Sequence, residues 1–217
     1  TEECIMEDKM RARLGPASKT IAGKTEVLGP AYCDENILAP LWKTRGVVWP
    51  YTPDIMFGAS AEYNNFHFTH SNYPYQNYVK SMPAEITVVG MFTAQTVSEA
   101  RYVLAVIHFL RAMTMIEFGD EAAKAGRAGT PPPVLRFNYM GDHQFNNVPV
   151  VVSTVNYQLE RDIDYVSVPG PNNTTSYVPT SLNMTVTLLV QQNPSKVRKE
   201  FDLAKFKTGD LLSKGFL

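Results

Sequence analysis

The chain has 217 residues, 44% of them hydrophobic, and a formal net charge of -1. It is long enough to bury a large core, and its near-zero charge gives no broad positive field for nucleic acid or an anionic membrane. Cys4 and Cys33 lack the spacing of a zinc site or a disulfide framework, and no run of about 18 apolar residues predicts a membrane helix. We therefore expect a chain of cytoplasmic origin without cofactor or metal.

Residues 1–60 are interrupted by prolines and by Gly-Pro pairs, too densely for long regular elements. The aromatic and aliphatic residues between 41 and 57 are nevertheless too apolar to remain in water. This segment predicts an extended N-terminal arm that packs on its own domain or on a neighbouring subunit. Trp42 and Trp49 are its candidate subunit-interface residues.

Residues 62–78 interleave aromatic side chains with amides. The stretch contains no arginine and is followed by a lone Lys80, so the cations of a nucleic-acid stacking site are missing. It predicts a β-hairpin or an interface surface. A carbohydrate-binding site built on the same aromatics, Tyr73 and Tyr75 among them, is the alternative.

The most regular block predicts a strand over 85–93 and then a helix over about 96–118. Thr96 and Glu99 have the spacing of a capping box, in which a hydroxyl and a carboxylate satisfy free N–H groups at a helix start. Gly119 is the predicted stop. The apolar stripe is wide, so we expect the helix to be covered on two sides. Its expected sheet-facing residues are Ala100, Val103, Leu104 and Ile107.

Further strands are predicted over 134–139, 148–157, 162–168 and 179–192, with a turn at 140–142. The order of one strand, one long helix and several antiparallel-looking strands excludes a repeated βαβ rhythm. The predicted fold is α+β and mainly β. It is an antiparallel barrel or sandwich over 61–217 with one long helix packed on it.

The segment at about 195–217 combines basic residues with large apolar ones at irregular spacing, so no single helical stripe collects the apolar side chains. Keeping them in water costs about 25 cal/mol per Å² of apolar surface that could be buried. We expect a docking segment that binds a neighbouring subunit; a tail folded back on its own domain is the alternative. Its candidate interface residues are Phe201, Leu203, Phe206 and Phe216.

Candidate catalytic groups are few and carry no recognised motif. His67 and His70 would lie on opposite faces of a strand, which disfavours a shared metal. Residues 141–143 and 162–164 could supply an acid–base pair, but aspartate and histidine are common in such turns. With no phosphate loop, nucleophile elbow or zinc-protease helix, the sequence predicts a chain that is not an enzyme.

Residues 84–217 resemble the baseplate tube-initiator proteins of contractile-tailed bacteriophages, which have the tail-tube fold. The similarity lies in the strand-helix run and in several later strands and turns. The matching stretches are 85–94 (EITVVGMFTA), 96–111 (TVSEARYVLAVIHFLR), 118–119 (FG), 132–141 (PPVLRFNYMG), 147–153 (NVPVVVS), 164–166 (DYV), 201–203 (FDL) and Phe206. Residues 1–83 fall outside the resemblance.

The resemblance implies a structural part of the virion tail, assembled in the host cytoplasm. Six copies would form a ring on the central hub, their strands lining a lumen through which DNA passes as cargo, with one helix per copy outside. The implied partners are further copies of the chain and other tube, hub and baseplate proteins. Two alternatives stay open: a glycan- or receptor-binding β module of a phage tail, and a cell-wall hydrolase.

Overall fold

The fold centres on a seven-stranded antiparallel sheet with the strand order β2-β1-β7-β8-β11-β6-β3. The computed structural model describes residues 10–16, 36–83, 85–124, 126–170 and 174–217. The strands are β1 Arg13–Pro16, β2 Val47–Val48, β3 Asp54–Met56, β4 Ala59–Phe66, β5 Tyr75–Pro83, β6 Ile86–Thr93, β7 Leu135–Tyr139, β8 Phe145–Tyr157, β9 Tyr165–Pro169, β10 Thr175–Pro179 and β11 Ser181–Val190. The helices are α1 Ala39–Thr44, α2 Val97–Ala112, α3 Asp120–Lys124, α4 Pro194–Glu200 and α5 Leu203–Thr208, followed by a 3₁₀ turn at Leu212–Lys214.

The large sheet is curved but does not close into the barrel that the sequence suggested. A flat sheet with strands about 4.8 Å apart would hold the edge strands β2 and β3 about 29 Å from each other. The chain between Val48 and Asp54 can span only about 22 Å, yet it links these two edges. The sheet must therefore bend. β2 and β3 do not pair, so the fold is mixed α+β with antiparallel sheets and an open side.

Trp49, in the linker between β2 and β3, fills the concave side of the sheet. Its side chain is fully buried, with ring centroids 6.2 Å from Phe92 of β6 and 6.5 Å from Phe137 of β7. The indole lies over Gly90, where a side chain would collide with it. Because β6 and β7 are not neighbours, Trp49 joins distant strands of the curved sheet into one core.

Helix α2 packs against this core and against the β9–β10 hairpin and α1, so the prediction of cover on two sides is confirmed. The capping box is present: Thr96 Oγ1 accepts from Glu99 N, and the Glu99 carboxylate accepts from Thr96 N. The core-facing stripe was predicted only in part, since Leu104 and Ile107 are half-buried. The buried residues are Ala100, Val103, Ala105, Val106, Phe109 and Leu110.

The helix ends at Ala112, six residues before the predicted end at Phe118. The Thr114 hydroxyl donates to the Arg111 carbonyl and closes the last turn. Beyond it, Glu117 N donates to Thr130 O and Gly129 N to Glu117 O, so this stretch pairs with a loop instead of continuing the helix. Met113, the first residue after the helix, is buried, but Ile116 and Phe118, which the predicted helix would have included, are exposed.

The described parts of 1–60 do not form a separate arm. β1 pairs with β7 and β2, and β3 pairs with β6, so this region supplies three strands of the main sheet. Residues 1–9 and 17–35, with Cys4 and Cys33, lie outside the described residues. Among the residues described, no helix is long and apolar enough to cross a membrane.

Candidate interaction surfaces

The β4–β5 hairpin extends beyond the end of the main sheet as a two-stranded ribbon. It follows directly from the β3–β6 pair at the sheet edge, and its register runs from Ala59↔Pro83 to Phe66↔Tyr75. A bulge next to Tyr63 shifts the register by one residue. The predicted hairpin is therefore present, and it is longer than the aromatic-amide stretch that indicated it.

Every residue of β4 and β5 is exposed, so neither face of the hairpin rests on the rest of the chain. One face carries the pair Tyr63 and Tyr78, whose rings meet edge to face at 5.8 Å. The opposite face carries Phe66 and Tyr75 as a cross-strand pair. The exposed large side chains of the hairpin and its tip are Tyr63, Phe66, Phe68, Tyr73, Tyr75, Tyr78, Val79 and Met82, with exposed fractions of 44% to 84%.

The charges of the acidic and basic side chains of the hairpin balance. Its two charged side chains, Glu62 and Lys80, are cross-strand partners with Oε2 and Nζ 3.1 Å apart. His67 and His70 lie in the tip, where His70 adopts a positive φ of 64°. In the part of the chain that the structure describes, no group of three or more His, Cys, Asp or Glu side chains is placed to hold a metal ion.

The central strands β6, β8 and β11 form an uncharged surface on the convex face of the sheet. Their sequences contain no Asp, Glu, Lys, Arg or His, in a chain with 19% charged residues. The inward positions are buried under α2 and Trp49, and the outward ones are mainly Thr, Asn, Ser, Val and Met. Val89, Met91 and Leu189 on this face are 37% to 41% exposed. The middle of the convex face, formed by these three strands, therefore carries no charge, whereas Asp54 of β3 and Arg136 of β7 lie at outward positions on the strands that flank it.

The two edges of the main sheet differ in whether a side chain binds their outward backbone groups. At the β2 edge, Val48 N donates to the Tyr102 hydroxyl oxygen at 2.8 Å, and the same hydroxyl donates to Val48 O at 3.0 Å. Tyr102 thus occupies the outward backbone groups of this strand, and burial raises the pKa of its phenol. The β3 edge lacks such a cap among the described hydrogen bonds and leads directly into the exposed hairpin. Of the two edge strands described for the main sheet, β3 on the hairpin side is therefore the one that is open for strand pairing.

The C-terminal segment is divided between the chain's own core and its surface. Leu211 and Phe216 are buried, and the 3₁₀ turn packs against β8. Phe201 contacts the rings of Phe206 and Phe216 at 5.9 Å and 5.8 Å, yet its own side chain is 46% exposed. Leu203 is 58% exposed. The tail therefore folds back through residues 211–217 and leaves α4 and α5 partly uncovered.

The candidate interface residues occupy three environments. Trp49 lies inside the chain's hydrophobic core, and Phe216 is buried outside that core against the ring of Phe201. Trp42 is half-buried against that core, and its Nε1 is buried without a hydrogen-bond partner. Phe206 is half-buried, so Phe201 and Leu203 are the two of the six that remain open to a partner.

The candidate catalytic groups do not converge. His143 lies in the turn before β8 and Asp164 in the loop after it, so the strand separates the acid–base pair considered from the sequence. An open depression of about 460 Å³ lies between the start of α2 and the linker after β2. Its lining includes Tyr51 and Thr93, whose hydroxyls are 3.1 Å apart, and Glu99, which is occupied as the helix cap.

The bonds of Tyr102 to β2 could not be expected from the sequence. The residue occupies a helix position between Arg101 and Val103, and its partner is 54 residues away along the chain. The uncharged face could be recognised from the sequence, because three strand segments lack charged residues.

A scan against known protein families and a search of curated proteins both find no match to the chain.

Proposed function

We propose that this chain is a non-enzymatic structural subunit of a contractile phage tail. It assembles into a ring, as a homohexamer, on the baseplate hub and starts or continues the tail tube. Its partners are other copies of itself and the neighbouring tube, hub and baseplate proteins, and the site of action is the virion tail. The resemblance of residues 84–217 to tube initiators supplies the type of assembly, and the exposed hairpin supplies the structural argument.

The observation that carries the proposal is the β4–β5 hairpin. A two-stranded hairpin is marginally stable at best when nothing covers it. Burying aromatic side chains stabilises by about 25 cal/mol per Å² of apolar surface. Within the single chain, much of this stabilisation is not realised for the four exposed rings of the hairpin, Tyr63, Phe66, Tyr75 and Tyr78. Because aromatics stand on both faces, one covering surface would satisfy only half of them. Contacts with neighbours on two sides, as in a ring, cover both.

The uncharged convex face supports the same assembly. In a ring that places α2 outward, β6, β8 and β11 face the central channel. Because these three strands carry no lysine or arginine, the part of the wall that they form offers DNA phosphates no cation, and so it does not hold the nucleic acid that must pass. Its Thr, Ser and Asn side chains keep the wall wettable.

The test replaces Tyr63, Phe66, Tyr75 and Tyr78 by serine and follows self-association by sedimentation velocity. The variant should keep the circular dichroism and thermal transition of the parent, since these residues are outside the core, but lose the oligomer. Serine at Asn64 and Asn77, a cross-strand pair on the same hairpin, is the matched control and should still assemble. Unchanged assembly of the aromatic variant would refute the proposal.

A glycan- or receptor-binding role is the second candidate, favoured by exposed aromatics beside amide side chains. Tyr73 at the hairpin tip is 84% exposed, and Gln76 and Asn77 follow closely in the chain. This role predicts glycan-array binding that Tyr73→Ala together with Tyr75→Ala abolishes while the oligomeric state stays unchanged. No binding by the parent chain would eliminate it.

A further inference from the structure

The α4–α5 segment presents a basic surface with an exposed apolar centre. We define the basic end surface as Arg198, Lys199, Lys205 and Lys207 around Phe201 and Leu203. All six side chains are exposed. Within the described structure, no carboxylate forms an ion pair with these four cations.

The acidic residues of the same segment are engaged locally. Glu200 lies 3.9 Å from Lys214, Asp202 accepts the amide of Ala204 as a helix cap, and Asp210 accepts the hydroxyl of Thr208. Lys196 is also engaged, donating to Lys214 O and lying 5.1 Å above the Phe216 ring. The cations of the basic end surface therefore remain available for an external partner.

A surface of opposite charge lies in the β8–β9 loop and the adjoining hairpin. We define the acidic end surface as Glu160, Asp162 and Asp164 together with Leu159, Tyr165 and Tyr177. Tyr165 and Tyr177 share the outward face of the β9–β10 hairpin, because Tyr177 pairs with Ser167. The apolar members are 47% to 69% exposed. Arg161 is the only cation within 158–164.

The two surfaces stand at opposite ends of β8. The C-terminal segment is anchored beside Asn147, whose carbonyl closely approaches Gly215, and the acidic loop begins after Tyr157. The intervening strand is about 30 Å long at about 3.3 Å per residue. One molecule therefore cannot bring its own surfaces together, although they match in charge and both have apolar centres.

We propose that the basic end surface of one copy docks on the acidic end surface of the next copy, head to tail. A contact between two different patches is heterologous, so it leaves one of each free and repeats from copy to copy. Phe201 and Leu203 meet Leu159 and the two tyrosines at the centre, while the charges fix register and speed association at the rim. This contact deepens the function proposed above, on which it rests, by assigning the surfaces through which copies meet.

A charge-swap experiment on the full chain tests the contact. One variant carries Arg198→Glu, Lys199→Glu, Lys205→Glu and Lys207→Glu, which reverses all four cations of the basic end surface and makes both of its ends acidic. The other carries Asp162→Lys and Asp164→Lys, which makes both of its ends basic. Each variant alone should self-associate about tenfold more weakly than the parent or worse, because like charges then meet. An equimolar mixture should regain association, since every contact again joins opposite charges.

Sedimentation velocity separates the outcomes, with circular dichroism as the check on folding. Lys43→Glu on α1, an exposed charge reversal outside both surfaces, is the matched control and should associate like the parent. If the variant with all four cations reversed misfolds, reversing only Lys205 and Lys207 on α5, which brings the four cations of the basic end surface to a net charge of zero, tests the same surface by weakened association alone. Parent-like association of both swaps, or a mixture that stays dissociated, would overturn the head-to-tail contact and leave the ring proposal standing. A parent chain that remains monomeric at every concentration would overturn both.

Discussion

Gly90→Ala is expected to destabilise the fold, because the position lies directly beneath Trp49. A Cβ atom there would overlap the indole, reaching 2.6 Å from Nε1, about 1 Å inside an ordinary van der Waals contact, and 3.4 Å from the Pro53 side chain. Trp49 is fully buried between β6 and β7 and cannot swing aside. Overpacking of this kind costs about 1–3 kcal/mol.

At a glycine with room for a Cβ atom, replacement by alanine would instead raise the free energy of unfolding. Alanine at a compatible glycine stabilises by about 0.4–1 kcal/mol through the unfolded chain. Urea unfolding followed by circular dichroism gives the free energy for Gly90→Ala in the parent and in a Trp49→Leu background. Removing the indole creates room, so we expect the loss to disappear or reverse there. A Gly90→Ala chain as stable as the parent would refute the assignment of Trp49 as the residue that fills the curved sheet.

Two further predictions concern local contacts. Tyr102→Phe leaves both outward backbone groups of Val48 without a partner, at a cost of about 1–3 kcal/mol in urea unfolding. Because burial raises the pKa of Tyr102, the folded state keeps this proton to higher pH than the unfolded state, whose phenol titrates at about 10. The stabilisation that comes from this difference in pKa is complete below the unfolded pKa and is lost as pH rises through the folded pKa. Tyr102→Phe has no phenol to titrate, so its stability should lack this loss at alkaline pH. Thr96→Ala should cost about 1 kcal/mol by removing the helix cap, whereas Thr96→Ser should retain stability.

The sequence predicted elements whose signals are local. The alternation in β6 and β11 follows from one buried and one outward face, and the capping box follows from two side chains three residues apart. β1 could not be recognised, because its sequence RLGP contains a Gly-Pro pair that indicates a turn. It is a strand because β7 and β2 pair with it on either side, which is a non-local effect.

The same difference between local and non-local signals applies to the interaction surfaces. The hairpin could be predicted from its interleaved aromatics and amides, because its two strands are close together in the sequence and their pattern is local. Which of Phe201 and Phe216 is buried could not be predicted, because irregular spacing of the apolar residues does not define a buried face. Likewise, the placement of the basic and acidic end surfaces at opposite ends of β8 depends on strand direction in the assembled sheet.

Electron microscopy of the purified full chain over a range of concentrations tests the central claim most directly. The account predicts closed rings with a central channel, six copies to a ring, that are absent when Tyr63, Phe66, Tyr75 and Tyr78 are replaced by serine. Particles that remain single copies at every concentration, or rings that the serine variant forms equally well, would contradict it.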